Sequence, residues 1–236
     1  MTDTMNLTLP LLAASQAQKH VTVNEALTRL DGVVQLRLRS RSLTTPPGAV
    51  LEGECFGVPP GAVNDWAGHD GDVAQFAGGG WAFFTPQRGW RAFVDDAGSC
   101  DLHDGAGWRA GGLSLSPGGG GVGVQSLESD VVIGAGSTVA SGVVFPARSL
   151  ILGVTGRVTN AITGALSDWR LGDVTADDRF GNGLGKGLNS WISGPVNPFV
   201  VWTDTEVILT GNGGDFAGGT VKLVAHYLTF AIPDPA

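Results

Sequence analysis

Lysine is nearly absent from this 236-residue sequence, occurring only as Lys19, Lys186 and Lys222. With 14 basic against 22 acidic side chains, the formal net charge is −8. Binding to nucleic acid rests on neutralising phosphates with Lys and Arg, so this balance argues against a nucleic-acid partner. It argues equally against adsorption to anionic lipid, and no membrane partner is expected. Cysteine is scarce too. Cys55 and Cys100 are the only two; they can form one disulfide or stay as free thiols, but they make no framework, and no zinc site can be built from them with the neighbouring histidines. Long hydrophobic runs are missing. The N-terminal run at 7–14 is split by Pro10, and no basic residue precedes it. No signal peptide and no membrane span are expected, and synthesis in the cytoplasm follows.

What the sequence has in excess is glycine, 38 residues, together with seven tryptophans. Each glycine inside a helix costs about 1 kcal/mol relative to alanine. A chain this rich in glycine reads as short strands joined by tight turns, and most of it should be β. Hydrophobic residues make up 42% and charged residues 15%, which is the balance of a globular chain with real cores rather than a disordered one.

The pattern divides the chain into four stretches. Residues 1–44 read as a helix–strand anchor: Asn24 can cap a helix carrying Val23, Ala26, Leu27, Leu30 and Val34 at helical spacing, with Gly32 as its stop. Val34, Leu36 and Leu38 then alternate with Gln35, Arg37 and Arg39, a half-buried strand. Residues 45–112 form a small Trp-rich β unit with a weak repeat at Gly80-Trp81, Gly89-Trp90 and Gly107-Trp108, each opening a strand with its indole turned inward. Residues 113–122 contain Ser-Pro followed by four glycines and read as a flexible linker. Residues 123–236 read as an antiparallel β-sandwich of jelly-roll type, with strands at 131–133, 143–145, 150–158, 169–171, 200–202, 206–209 and 220–232. The last alternates with both faces largely apolar, so it is central or lies at an interface.

No catalytic signature is present: the sequence lacks G-x-S-x-G, H-E-x-x-H, a P-loop and a dinucleotide fingerprint set on a strand and helix. The expectation is a protein that is not an enzyme.

Three groups of residues carry a resemblance. LPLLAASQAQKHVTVNEAL at 9–27, WAGHDG at 66–71 with WAFFTPQRGWR at 81–91, and RFGNGLG at 179–185 with GNGGDFAGG at 211–219 together resemble the DUF2793 family of alphaproteobacterial prophages and gene transfer agents. The resemblance implies a head spike or tail fibre protein on a virion surface. Its implied partners are host capsular polysaccharide and other virion proteins of a vertex, spike base or baseplate. A homo-oligomer is expected, with a trimer favoured, and the 1–44 anchor either packs on such a partner or folds back on the middle block. The length of the chain favours a head spike.

Sugar recognition needs flat apolar faces for pyranose C–H groups and polar forks for hydroxyls. Trp169, Arg170, Arg179, Asn182, Asn189 and Trp191 supply these materials. Trp191, in a glycine-flanked segment, is the best platform; Trp202 and Asp168 are further material, and Trp66 is a weaker candidate. Asp173, Asp177 and Asp178 could coordinate Ca²⁺ through oxygen, or be neutralised by Arg170 and Arg179. Otherwise no cofactor is expected. Two alternatives stand beside attachment: a purely structural connector between the particle and another fibre protein, and a capsule-degrading glycosidase using Asp204 with Glu206 or Asp177 with Asp178.

Overall fold

The computed structural model describes residues 3–13 and 19–235; residues 14–18 of the N-terminal motif lie outside the described residues. The chain is mostly β and divides into two compact units, 1–115 and 116–236.

The first unit holds α1 (Lys19–Val33), β1 (Arg37–Leu38), β2 (Cys55–Gly57), β3 (Val73–Ala77), β4 (Gly80–Phe84), β5 (Arg91–Val94), β6 (Ser99–His103), β7 (Trp108–Arg109) and β8 (Gly112–Leu115). Seven of these strands form one sheet in the order β4-β3-β2-β1-β5-β6-β7. β1 runs parallel to β2 and β5, and the remaining pairs are antiparallel. Strand alternation gives the sheet two small cores, one on each face. Leu36, Leu38, Cys55, Val73, Phe84, Ala92 and Val94 pack with Val33, Trp90 and Trp108. Phe56, Val58, Ala62, Trp66 and Ala74 pack with Trp81 and Phe83.

The anchor folds back on the middle block, the second of the two arrangements expected for it. β1 occupies the middle of the sheet, so residues 1–44 are not a separate element. The helix also starts five residues before Asn24. Instead of capping, the Asn24 amide exchanges hydrogen bonds with the backbone of Leu12, accepting at 2.9 Å and donating at 3.0 Å. Gly32 does not stop the helix either; any side chain there would collide with the buried Gln75 amide. What fixes the N-terminal segment is Asp31, whose carboxylate accepts from the Thr4 hydroxyl at 2.7 Å and from the amides of Asn6 and Leu7 at 3.0 and 2.6 Å.

Both cysteines are free. β2 and β6 are three strand spacings apart in the sheet, about 14 Å, well beyond disulfide reach. Burial first, and then the nearby Asp31 and Glu54 carboxylates, push the Cys55 thiol up to about 12, whereas Cys100 is exposed. A thiol reagent at pH 8 should therefore modify Cys100 alone in the native protein and both cysteines after denaturation. Rapid modification of both in the native state would contradict the burial.

The second unit is an antiparallel sandwich, in line with the sequence reading. Its strands are β9 (Gly121–Val132), β10 (Thr138–Phe145), β11 (Leu150–Gly164), β12 (Asp168–Gly172), β13 (Gly181–Leu184), β14 (Trp191–Val200), β15 (Thr205–Asn212) and β16 (Phe216–Ala231). One sheet runs β10-β15-β12-β13, and in the other the neighbours run β14-β11-β16-β9. Between them lies a single core that includes Val143, Phe145, Val154, Trp169, Leu171, Phe180, Ile192, Leu209 and Leu223. β16 is central, one of the two positions its two-faced apolar pattern allowed.

Residues 116–120 do not form a flexible linker. The Ser116 amide donates to the Gly120 carbonyl at 2.7 Å and Gly119 donates back to Ser116 at 3.0 Å, a closed turn that the Asp234 amide ties down through Gly118 at 2.8 Å. The flanking residues are already in β8 and β9.

Candidate functional site

Directly paired residues of neighbouring strands share one face of a sheet, so the register states which side chains meet. On β14, Ile192 and Gly194 turn into the core while Trp191 and Ser193 turn out. Trp191 stands opposite Arg157 of β11, Arg157 opposite Lys222 of β16, and Lys222 opposite Asp130 of β9. The next outward row is Ser193, Thr155, Val224 and Glu128. These residues form an aromatic and polar surface across four strands, with Trp191 69% exposed at its edge.

The row is partly cross-linked. Lys222 donates to Glu128 at 2.7 Å and to Asp130 at 3.2 Å; these two carboxylates raise its pKa. The Thr155 hydroxyl lies 2.9 Å from His226 Nε2, and the Ser126 hydroxyl lies 3.3 Å from Nδ1. Beside Trp191, the loop between β13 and β14 turns through Asn189 at φ +67, a left-handed conformation that asparagine adopts more readily than most residues. The Asn189 amide donates to Val158 at 2.9 Å, and its carbonyl accepts a long bond from Arg157 Nη1 at 3.4 Å. Arg157 thus stands next to an exposed indole, with no carboxylate paired to it among the described residues.

The other candidates lie elsewhere. Trp169 is fully buried, and its indole N–H donates to the Gly185 carbonyl at 3.0 Å. It is a core residue and offers no face to a ligand. Trp66 is fully buried as well, tilted against Phe56 and edge-on to Trp81. Arg170 and Asn182 are brought together through Asn212. Arg170 Nη1 donates to Asn212 Oδ1 at 2.7 Å, and Asn212 Nδ2 donates to Asp168 at 2.5 Å and Asn182 at 3.0 Å. This network occupies the outer surface of the β10-β15-β12-β13 sheet, whereas Trp191 is on the outer surface of the other. One sugar unit cannot touch both.

Arg179 is engaged three times over: it pairs with Asp173 at 2.5 Å, donates to the Thr175 hydroxyl at 2.7 Å, and lies 4.5 Å from the centroid of the Phe199 ring. The calcium expectation meets the same saturation. Asp173 also accepts from the Thr175 hydroxyl and from the amides of Thr175 and Ala176. Asp177 pairs with Arg170 at 2.6 Å. Among the described residues no group of three or more His, Cys, Asp or Glu side chains converges to hold a metal. Asp204 and Glu206 accept from the backbone amides of Ala147 and Gly142, at 2.8 and 2.9 Å.

Of the six candidate residues read from sequence, Asn189 and Trp191 come together at one place, beside Arg157, which the sequence reading did not include. A strand at 150–158 was legible, but its neighbour was not, and only the register puts Arg157 against Trp191.

The fold and this surface define a two-unit, mostly β protein whose sandwich presents an aromatic residue and a cation side by side. Over residues 23–109 the chain matches the family described as "Protein of unknown function (DUF2793)". No curated protein matches the sequence. Among solved structures, one described as "Cyanophage Pam1 capsid asymmetric unit" is similar at 19% identity, over 49% of this chain and 91% of that one, with a TM-score of 0.34. A TM-score at that level does not carry a shared fold.

Proposed function

We propose that this chain is a virion-surface spike or fibre protein of a phage-like particle, and that its second unit attaches the particle to capsular polysaccharide on a bacterial host. The observation that carries the reading is Trp191, an indole left 69% exposed on edge strand β14 amid hydroxyl and charged side chains. Burying such a ring removes roughly 200 Å² of surface from water, so leaving it exposed forgoes stability that a bound ligand would restore. The virion context is supported by the sequence resemblance to prophage and gene-transfer-agent spikes and fibres. We assign no catalytic role. Weak single sites suffice for attachment, because many copies on one particle engage a repeating polymer together.

The test is binding of the purified protein to capsular polysaccharide, with reducing ends assayed in parallel. Trp191→Ala should weaken binding by about tenfold while the unfolding midpoint stays unchanged and no reducing ends appear. Full binding by the variant would remove Trp191 from the site, and release of reducing ends would favour the glycosidase.

A second reading, the connector, has an observation of its own. At the far end of the same outer surface Val200, Leu150, Leu228 and Val124 form an apolar row across four strands, with Phe230 59% exposed nearby. An apolar stretch of this kind suits a contact with another virion protein or a further copy of the chain. Light scattering should then report an oligomer, a trimer on the fibre reading, that Leu228→Glu dissociates.

A further inference from the structure

We infer that the polymer bound by the second unit is acidic, and that it is engaged at two points along edge strand β14, each an exposed tryptophan with an arginine nearby that has no carboxylate partner among the described residues. This rests on the polysaccharide reading and adds charge and length to it.

The argument begins with where the cations of this unit go. In a chain of net charge −8 most are already committed. Arg170, Arg179 and Lys222 pair with carboxylates at 2.6, 2.5 and 2.7 Å, and Lys186 donates to the Leu166 carbonyl at 2.5 Å. The two arginines left without a carboxylate among the described residues are Arg157 and Arg148. Each is exposed, and each lies by an exposed tryptophan. Arg157 faces Trp191 across the β11–β14 ladder. The Arg148 amide donates to Val201 at 2.6 Å, and the next residue, Trp202, is 77% exposed.

The two pairs sit at opposite ends of β14. Ten residues of strand at about 3.3 Å each separate them by roughly 30 Å. A monosaccharide cannot span that distance, but a polymer following the strand can. β14 is at the sheet edge and carries Pro195 and Pro198, which leave it unable to donate a full ladder to a further strand. That edge therefore stays open for a ligand. Stacking on an indole reads the ring face of a sugar without regard to charge, whereas an arginine fork reads a carboxylate in two hydrogen bonds. Their repetition at both ends of one strand points to a repeat unit that carries both features, such as a uronic acid.

The experiment uses the intact protein and a panel of acidic and neutral bacterial polysaccharides, with each bound acidic polymer tested again after reduction of its carboxylates to alcohols. Acidic polymers should bind preferentially. Binding should weaken with added salt and fall about fivefold in Arg157→Gln and in Arg148→Gln, and further in the double variant. Fragments too short to span β14 should bind more weakly than the polymer. Equal binding before and after carboxyl reduction would overturn the inference and leave the polysaccharide reading standing. Loss in Arg157→Gln alone would overturn the two-point arrangement. No binding to any member by a protein with its normal unfolding transition would end both.

Discussion

Trp169→Ala should cost the second unit about 3–5 kcal/mol of stability, measured by urea unfolding. The side chain is fully buried in the core that also holds Leu171, Phe180 and Ile192. Its removal leaves a cavity that the strands on either side cannot close. The indole N–H is also the partner of the Gly185 carbonyl, so truncation frees the start of the loop that leads to Asn189 and Trp191. Trp169→Phe keeps most of the volume and loses only the hydrogen bond, which predicts a smaller loss of about 1–2 kcal/mol. Trp191→Ala should change stability by less than about 0.5 kcal/mol. The contrast separates the two tryptophans by role. A stability loss at Trp191 as large as that at Trp169 would refute it.

Asp173→Ala should be the second most damaging change, at about 3 kcal/mol. The carboxylate is 3% exposed; it closes its own turn through the Thr175 and Ala176 amides and holds Arg179. Without it, Arg179 loses the ion pair that places it over Phe199. The pH dependence follows from the same contacts. Burial acts to raise the pKa of Asp173, but the hydrogen bonds from Thr175, Arg179 and the backbone outweigh it and hold the group below its ordinary value. A carboxyl lowered on folding contributes stability that is fully present above its unfolded value of about 3.9 and is lost as pH falls through the lower folded value. Wild-type stability should therefore fall below about pH 4, and Asp173→Asn should show a shallower fall in the second unit. Identical acid profiles for the two proteins would exclude Asp173 as a contributor. In the first unit Asp104 points the same way: burial raises it, and the Ala106 and Gly107 amides with Arg109 bring it below normal.

The sequence carried the architecture further than the site. Glycine abundance and strand alternation made the β class legible, and the two-sided apolar pattern of 220–232 left a central strand or an interface, of which the fold shows the first. β14 is absent from the strands expected from the sequence, and its Gly194, Pro195 and Pro198 carry no strand signal. An edge strand tolerates prolines that a central strand would reject, and sequence alone does not say which strand is at the edge. The glycine run at 118–121 misled in the opposite sense, because a hydrogen-bonded turn and a flexible linker share one composition. Asp31 was invisible for another reason: its partners, Thr4, Asn6 and Leu7, are 24 to 27 residues away, and no local pattern announces a contact at that range. Trp169 and Trp191 look alike in sequence, yet strand phase sends one into the core and the other into solvent.

The position of β16 bears on how the molecule is made. β9 and β11 are not neighbours; β16 lies between them, and it follows both in the chain. While the ribosome is still building β16, the two strands that will flank it present open edges with a gap one strand wide, and pairing them directly would be an error. The first unit contains short-range hairpins such as β3–β4 and β5–β6 and has no such wait. Its folding should run ahead of the sandwich, whose sheet closes only with a contact spanning about a hundred residues, Ser126 to His226. Long-range closure of that kind is slow, and it is where association between nascent chains begins.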